Sequence, residues 1–307
     1  MAFNTGIIVL ILINNFFAGP TLAQVFCYSD GSCGPATPLW GGACQTGSRQ
    51  SPIDLPYFPL SVLAPPIVLN LKNYRGSSFR MQNNGHTVQV DFNGAGPSAA
   101  PRPFPDPITR NKEIRQYIFA SAHFHWGRSD FNGSEHCIQG KCTAMELHLV
   151  HYQSKFASQS DAVASGDPDA LAVIGVLIEK SGTMSILNGA GLKSDALSPI
   201  VRNLPRVAVA DEVIQVNEAL DLTPLLKDTH GLVKLPVQVY TYKGSLTTPG
   251  CNEQVNWYVM RRPALTTMND VLRFRSLPRD EGGEVLSENH RPRQALNGRQ
   301  VKLSVVI

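Results

Sequence analysis

Charged residues are few in this sequence, and so are long apolar runs. Only 17% of the 307 residues are charged, and the net charge of +3 is too small and too dispersed to predict a nucleic-acid or membrane-surface partner. The end of the chain, GRQVKLSVVI, is too short and too charged for a membrane or lipid anchor. Because 43% of the residues are apolar, we expect a globular protein that is soluble once mature.

Two familiar zinc motifs are also missing. The sequence contains no C-x-x-C pair, which disfavours a structural zinc site made of cysteines. It contains no H-E-x-x-H segment, which disfavours the zinc hydrolases that use one. There is no acidic run or low-complexity repeat that would bind mineral. A metal site in this chain must therefore use other residues.

The N-terminal segment differs from the rest in composition. GIIVLILINNFFA (6–18) is apolar but too short to cross a bilayer, and Thr21-Leu22-Ala23 places small residues where a signal peptidase cuts. These features predict a secretory signal over residues 1–23. The alternative is a buried N-terminal helix or strand, because MAFNT has no Lys or Arg and Asn14-Asn15 interrupt the apolar run.

Six cysteines follow the predicted signal, and an even number in an exported chain favours disulfides. Several pairings are compatible with the count alone. Local spacing favours the pairs Cys27–Cys33 and Cys137–Cys142, which close short loops. This leaves Cys44 and Cys251 to close a long loop. A secreted, disulfide-bonded product is therefore expected.

The mature chain is predicted to be mainly β, because it is rich in turn residues and in short β-branched or aromatic segments. The predicted strands are HTVQVDF (86–92), RQYIFASAHFHWG (115–127), TAMELHLVHY (143–152), ALAVIGVLIE (170–179), VQVYTYKGS (237–245) and QVNWYVM (254–260). The candidate helices are SPIVRNLPRV (198–207) and DVLRFRSL (270–277). The Gly- and Pro-rich stretch 94–107 predicts an extended surface loop within one domain rather than an interdomain linker.

A metal site is suggested by HFH at 123–125. In a strand, residues two apart face the same side, so His123 and His125 can reach one ion. The segment MELHLVH places Glu146, His148 and Val150 on one face of a second strand, and the 16 residues 128–143, which lie between the segments, allow the two strands to lie antiparallel.

Three neutral imidazoles suit zinc and leave a fourth position for water, which is typical of a catalytic site. Glu146 is placed to accept the ring N–H of His148 that the metal does not use. The alternative is a set of buried histidines that bond only to protein groups, and HFH alone does not decide between them.

The region as a whole resembles the α-class carbonic anhydrases. The resemblance rests on HFHWG, GSEH (133–136), MELHLVH and SLTTPGC (245–251), and extends through RQSPIDL (49–55), NNGH (83–86) and ENHRPRQALNGRQVK (288–302). It implies one domain over 24–307, with its core at about 38–304. That domain would hold a large, mostly antiparallel twisted sheet, short peripheral helices, and zinc at the base of a conical cleft.

The resemblance also implies site roles. His123, His125 and His148 would bind Zn2+, whose charge lowers the pKa of bound water so that hydroxide attacks CO2 and yields bicarbonate. Thr247 would accept a hydrogen bond from that hydroxide and donate its own proton to Glu135, and His86 would carry protons to buffer. The implied CO2 pocket is Val150, Val173, Leu246, Thr247, Thr248, Val255 and Trp257. Glu146, Asn289 and Ser121 would support the zinc histidines, and Cys44–Cys251 would hold the Thr247 loop.

Some positions depart from the family pattern. Ser121 stands where a glutamine usually bonds the first zinc histidine, and Trp40-Gly41-Gly42 lacks a tyrosine that often orders water. The substrate expected is CO2 or bicarbonate, with no nucleic acid and no membrane anchor, for a monomer or, alternatively, an oligomer. Side activity on small activated esters is expected. The alternative function is a catalytically weak extracellular binding or mineral-matrix protein related to the family. Asn132 lies in the single N-x-S/T sequon.

Overall fold

The computed structural model of the chain contains all six strands predicted from the sequence. It describes residues 26–28, 33–58, 63–69, 71–72, 74–92, 102–105, 114–182, 195–227, 229–230, 233–234, 236–279 and 284–307. The predicted signal segment, 1–23, lies outside these residues. The family-typical architecture, mainly β with a few short helices, is confirmed.

The strands, numbered β1 to β18 along the chain, are mostly short. They are β1 Asp54–Leu55, β2 Ala64–Ile67, β3 Arg75–Gly76, β4 Phe79–Asn83, β5 Val88–Phe92, β6 Arg102–Pro105, β7 Ile114–Trp126, β8 Cys137–Ile138, β9 Met145–Gln153, β10 Leu171–Lys180, β11 Val213–Val216, β12 Leu220–Asp221, β13 Thr229–His230, β14 Val233–Lys234, β15 Gln238–Gly244, β16 Val255–Met260, β17 Ala264–Thr266 and β18 Lys302–Val306. The candidate zinc histidines lie on β7, with 13 residues, and on β9, with 9 residues.

The helices in the described part of the chain are short. The α-helices are α1 Ala43–Thr46, α2 Gln159–Ala164, α3 Ser198–Asn203 and α4 Met268–Arg275. The 3-10 helices are Pro38–Trp40, Asp195–Leu197, Leu204–Val207 and Thr223–Leu226. Both predicted helical segments are helical, and α4 begins with a capping box in which Thr267 and Asp270 satisfy each other's backbone N–H groups.

One sheet of twelve strands dominates the fold. Its order is β11-β4-β5-β7-β9-β10-β16-β15-β18-β2, with β17 beside β10 and β6 beside β7. Most neighbours are antiparallel, and the parallel pairs are β10 with β16, β10 with β17 and β18 with β2. The sheet is therefore mixed but mostly antiparallel, as expected.

The burial pattern explains which strands lie at the centre. Along β4 and β5, buried and half-buried residues alternate, which is typical of a strand with one covered face. Every residue of β16 is buried, and so are the first eight of β10. Both faces of these central strands are therefore covered.

The stretch 94–107 differs from the sequence expectation in one part. Residues 102–105 are not loop but form β6, which pairs antiparallel with β7. Proline removes a backbone donor, yet an edge strand needs donors on one side only, so a proline-containing strand is tolerated there. The residues on both sides of β6 lie outside the described part of the chain.

Candidate active site

The three candidate zinc histidines converge because β7 and β9 pair antiparallel. In that pairing His123 lies directly opposite His148, and His125 lies opposite Glu146. The possible ligand atoms of His123, His125 and His148 all lie within 4.8 Å of one another, close enough to share one ion. The sequence prediction that adjacent strands deliver His148 to the other two is confirmed in its geometry.

Burial keeps two of these imidazoles neutral, as metal binding requires. The pKa of His123 is held well below its ordinary value, first by burial and then by the neighbouring His125 and His148. Burial likewise holds the pKa of His125 well below its ordinary value. Neutral imidazoles offer lone pairs at neutral pH, so the group can bind a metal ion without first losing protons.

A backbone carbonyl fixes the tautomer of His125. Its Nδ1 donates to the carbonyl oxygen of Asn289 over 2.7 Å, which leaves the lone pair on Nε2. The Asn289 amide in turn donates to the carbonyls of His86 and Phe124, 2.9 Å each, and its Oδ1 accepts from the Trp126 N–H over 2.6 Å. Asn289 therefore ties the His86 turn to strand β7.

A carboxylate fixes the tautomer of His148. Glu146 Oε1 lies 2.9 Å from His148 Nε2 and 2.7 Å from His136 Nδ1, and its Oε2 accepts from the His136 backbone N–H over 2.7 Å. Although burial alone would raise the pKa of Glu146, His136 and the His148 hydrogen bond hold that pKa well below its usual range. The ionised carboxylate can only accept, so His148 donates from Nε2 and keeps its Nδ1 lone pair.

The hydrogen-bond chain continues away from the histidine group. His136 Nε2 lies 2.6 Å from the Tyr242 hydroxyl, which lies 2.8 Å from the Ser51 hydroxyl. Burial raises the pKa of Tyr242 well above its ordinary value, so the phenol stays protonated and donates to His136. Ser51 also exchanges hydrogen bonds with Ser245, the first residue of the predicted Thr247 loop.

Two buried polar atoms beside the histidines have no hydrogen-bond partner among the described residues. They are His125 Nε2 and Glu135 Oε2, which lie 3.5 Å apart. An unpaired polar atom is costly to bury, so both atoms indicate a missing partner at this point. The donor set is three imidazoles, each with one ring-nitrogen lone pair that no protein group among the described residues uses. Such a set fits a zinc ion.

Glu135 and Thr247 lie beside each other, close to the histidine group. Glu135 accepts the Arg291 backbone N–H through Oε1 over 2.8 Å. Burial and the nearby Glu146 carboxylate raise the pKa of Glu135, whereas His148, this N–H and the Thr247 side chain act in the opposite direction. Both side chains are buried, with Glu135 1% and Thr247 4% exposed.

The loop that carries Thr247 is fastened at its far end. Cys251 ends the loop and forms a disulfide with Cys44 in α1, with a sequence separation of 207. Within the loop, the N–H of Cys251 bonds to the Thr248 carbonyl, and Leu246 bonds to Asn252. The other disulfides are Cys27–Cys33 and Cys137–Cys142, so the three bonds are the pairs that local spacing favours.

His123 and His148 line a cleft of about 540 Å3. That volume lies in the usual range for small-molecule sites, about 300–1,000 Å3. Six of the seven side chains predicted to bind CO2 line it, namely Val150, Val173, Leu246, Thr247, Thr248 and Trp257. Val255 does not line the cleft, because it is fully buried in the hydrophobic cluster behind Trp257.

Comparison with known proteins identifies the family. The family model for eukaryotic-type carbonic anhydrases matches residues 36–305, which is most of the chain. The chain belongs to the carbonic anhydrase family. It is 34% identical to human carbonic anhydrase 7 over 262 residues, covering 84% of this chain and 89% of that protein. It is 31% identical to carbonic anhydrase 6 of Bos taurus over 264 residues, covering 85% and 74%.

Family membership supports carbonate dehydratase activity, the reversible conversion of CO2 and bicarbonate. The substrates of carbonic anhydrases are small molecules, which agrees with the size of the cleft. Within the described ranges, the structure contains no helix with the length and apolar character needed to cross a membrane.

His86, the predicted proton shuttle of this carbonic anhydrase, lines the cleft beneath an aromatic ring. Phe26 stacks on its imidazole with a centroid distance of 3.8 Å and an interplanar angle of 12°. Burial and the charge of Arg279 lower the pKa of His86 to about 4, although Asp211 acts in the opposite direction. In this arrangement His86 is a weak base.

Tyr28 also lines the cleft, although the sequence analysis predicted no tyrosine there. Its ring packs edge-on against His125 at 6.3 Å and against Trp40 at 5.7 Å. Burial and the charge of Glu135 raise the pKa of Tyr28 well above its ordinary value, so it stays protonated. The segment Trp40–Gly42 contains no tyrosine, which is a departure from the family pattern. Tyr28, which precedes that segment in the chain, places a tyrosine in the cleft.

Sequence reasoning also missed the roles of His136, Tyr242 and Phe26. His136 stood in the quoted GSEH segment, next to Glu135, so its position carried a signal. No sequence signal indicated Tyr242 or Phe26, because each reaches the site through contacts between segments that are far apart in the chain. Ser121, predicted to support His123, lines the cleft, and no hydrogen bond joins it to His123 in the described part of the chain.

Proposed function

We propose that the protein is a zinc-dependent, secreted carbonic anhydrase that hydrates CO2 to bicarbonate and a proton. The observation that carries this proposal is the convergence of His123, His125 and His148, two of which line the cleft, with an unused, buried lone pair on His125. Zinc, when bound by these three residues, supplies a Lewis acid that makes hydroxide available near neutral pH. Other transition metals accept imidazole ligands too, but three neutral imidazoles on rigid strands suit zinc.

Glu135 and Thr247 would orient the attacking oxygen. With Glu135 ionised, the Thr247 hydroxyl donates its proton to Oε2, the atom that otherwise has no partner. The Thr247 oxygen can then only accept a hydrogen bond, so a hydroxide beside it must direct a lone pair towards the substrate. Val150, Val173, Leu246 and Trp257 provide an apolar surface on which CO2 can lie.

His86 would remove the proton that each turnover produces. Its ring lines the cleft, and an imidazole with a pKa near 6.5 both takes up and releases protons at neutral pH. Because the ring under Phe26 has a pKa of about 4, efficient transfer requires the imidazole to leave that stack.

Secretion is supported by the cysteines. All six are paired in three disulfides, and disulfides persist mainly in oxidising compartments. The alternative of a catalytically weak binding or matrix protein has no specific observation in its favour, because the histidines, Glu135 and Thr247 are all in place.

The test is stopped-flow CO2 hydration by the purified protein, before and after removal of metal with a chelator. We expect activity that the chelator abolishes and that added zinc restores. His123→Ala should bind zinc weakly and fall to the uncatalysed rate, whereas His290→Ala, which removes a half-exposed histidine that lies outside the ligand group, should remain active. Chelator-insensitive activity, or full activity in His123→Ala, would contradict the proposal.

A further inference from the structure

The single N-x-S/T sequon of the chain lies in an exposed turn. Asn132 belongs to the segment between β7, which ends at Trp126, and β8, which begins at Cys137. Asn132 is exposed, and so is the preceding Phe131, by 81%. The side chain of Asn132 makes no hydrogen bond to another described residue. Its amide is therefore available at the surface, as the acceptor of an N-linked glycan must be.

The backbone of this turn is held against the protein. There is no room for a side chain at Gly127, because it would collide with the carbonyl oxygen of Asn132. Asp130 pairs with Lys180 over 2.6 Å and with Arg275 over 3.0 Å, and Arg275 also donates to the Gly127 carbonyl over 2.6 Å. Because the Asn132 carbonyl faces inward, the exposed surface of this residue belongs mainly to its side chain.

The hydroxyl of the sequon is buried, unlike its asparagine. Ser134 is 1% exposed, and its Oγ donates to the His136 carbonyl over 2.7 Å and accepts the Thr143 N–H over 2.9 Å. The enzyme that attaches N-linked glycans recognises this hydroxyl together with the asparagine amide. A folded chain withholds the hydroxyl, so a glycan must be attached before this segment folds.

The order of synthesis allows early attachment. The contacts that bury Ser134 come from Thr143, whose carbonyl also accepts the N–H groups of Gly133 and Ser134 over 2.8 Å and 2.9 Å. Thr143 follows the loop that the Cys137–Cys142 disulfide closes. Because a chain is synthesised from its N-terminus, the sequon emerges before Thr143 and before this disulfide can form.

The turn lies away from the catalytic cleft. Phe131 lines a separate groove of about 660 Å3, together with Ile138, Leu177 and Pro263 among others, and no described residue lines both this groove and the cleft. Asn132 is not among the residues that line the cleft. A glycan on Asn132 can therefore extend into solvent without covering the zinc-binding histidines.

We propose that Asn132 carries an N-linked glycan in the secreted protein. The inference rests on the proposed secretion, because only a chain in the secretory pathway meets the transferring enzyme and its lipid-linked oligosaccharide. In the transfer, the amide nitrogen of Asn132 bonds to the anomeric carbon of the oligosaccharide. The bond from that carbon to the lipid pyrophosphate breaks, the pyrophosphate leaves with the bonding electrons, and the amide nitrogen loses one proton.

The test uses the full chain, expressed in insect cells and purified from the medium. Peptide N-glycosidase F, applied to the denatured protein in heavy-oxygen water, should lower its mass by that of an oligosaccharide and leave a labelled aspartate at position 132. The label excludes spontaneous deamidation at Asn132-Gly133, which takes its oxygen from ordinary water. Asn132→Gln should show no change in mass. Asn269→Gln is the matched control, because Asn269 is exposed and lies outside the sequon, so it should behave as wild type.

A second variant tests the hydroxyl. Ser134→Ala keeps the Asn132 amide but removes the recognition group, so it should lack the glycan. Because attachment precedes folding, this result can be measured in cell extracts whether or not the variant folds. A glycan on Ser134→Ala would contradict the use of the sequon.

Two outcomes separate the glycan from secretion. Wild type that is secreted but keeps its mass on glycosidase treatment would overturn the glycan and leave secretion intact. Wild type that stays in the cytosol with residues 1–23 attached would overturn both.

Stopped-flow CO2 hydration reports where the glycan lies. Glycosylated wild type and Asn132→Gln should have equal kcat/KM, because Asn132 lies outside the cleft. A markedly lower value for the glycosylated protein would contradict the placement of the glycan away from the cleft.

Discussion

The three candidate zinc histidines differ in how firmly their rings are held. His125 donates to the Asn289 carbonyl and His148 donates to Glu146, but His123 has no hydrogen bond to another described residue. A partner on the unused ring nitrogen orients a metal ligand and raises its basicity. Ser121, at the position where the resemblance implies a glutamine, makes no hydrogen bond to His123 in the described part of the chain, so His123 is the least constrained of the three.

Phe26 is expected to restrain the proton shuttle. Stacking under its ring buries His86 and contributes to a pKa of about 4, far below the ordinary imidazole value near 6.5. Phe26→Ala should expose the imidazole, raise its pKa towards that ordinary value, and speed proton transfer at neutral pH in weak buffer. NMR titration of His86 and CO2 hydration at low buffer concentration measure the two effects.

The matched variant for this prediction is His86→Ala. It should be slow in weak buffer and recover when imidazole is added, because a free base then replaces the missing shuttle. An unchanged His86 titration in Phe26→Ala would contradict the role of Phe26. Equal loss of activity with and without imidazole in His86→Ala would contradict the shuttle itself.

The residues that sequence reasoning found and missed differ in a physical way. His123, His125 and His148 lie on two neighbouring strands, and strand periodicity alone places them on one face. Phe26 and Tyr28 reach the site from an N-terminal segment, and no local pattern predicts where such a segment docks. The packing of Phe26 and Tyr28 against Trp40 supplies that information, and it exists only in three dimensions.

Among the structural elements, the loop 245–251 depends most on a distant partner. Cys44 and Cys251 close a loop with a sequence separation of 207, whereas Cys27 and Cys33 are separated by 6. A crosslink removes more conformational freedom from the unfolded chain when the loop it closes is longer. The Cys44–Cys251 bond also fixes the loop that presents Thr247, so it affects both stability and the site.

The double variant Cys44→Ser/Cys251→Ser should therefore lose stability and activity together. We expect the free energy of unfolding to fall by about 2–5 kcal/mol, and kcat/KM for CO2 to fall because Thr247 is no longer held. Urea denaturation, stopped-flow hydration and zinc content measure the three quantities, and zinc content should stay at one ion because the ligands lie on β7 and β9. Cys27→Ser/Cys33→Ser is the control. An equal stability loss in both double variants would count against the loop-length argument.

Strands were predicted correctly from the sequence where the hydrophobic pattern was long. They were missed where a neighbouring strand, rather than the local sequence, determines the pairing. The predicted strands coincide with β5, β7, β9, β10, β15 and β16, all rich in β-branched or aromatic residues. Residues 102–105 form β6 although their sequence is rich in proline, because β7 offers an edge that needs few donors. Strand β7 also bulges at Ala120, which has no partner on β9, and this bulge was equally unpredictable, since it depends on the register between the two strands.

At the scale of the whole molecule, several histidines are buried, and this burial links folding to pH. His151 is 3% exposed, with its Nε2 2.9 Å from the Tyr74 hydroxyl and its Nδ1 3.3 Å from the Ala172 carbonyl. Burial lowers the pKa of His151 to about 4 and raises that of Tyr74, so both groups stay neutral, with Tyr74 donating to Nε2. Protonation would place an unpaired charge in the hydrophobic core.

The free energy of unfolding should therefore decrease as the pH falls from about 6.5 to about 4. Within that window His151 takes up a proton in the unfolded chain, where its pKa is near 6.5, but not in the folded protein, so acid favours unfolding. A shift of this size corresponds to roughly 3 kcal/mol below pH 4 and somewhat less at pH 4.5. Between pH 7.5 and 4.5, His151→Gln should lose about 2 kcal/mol less than wild type in urea denaturation of the zinc-free proteins. His290→Gln, at a half-exposed site, should follow wild type, and parallel slopes in all three proteins would refute the assignment to His151.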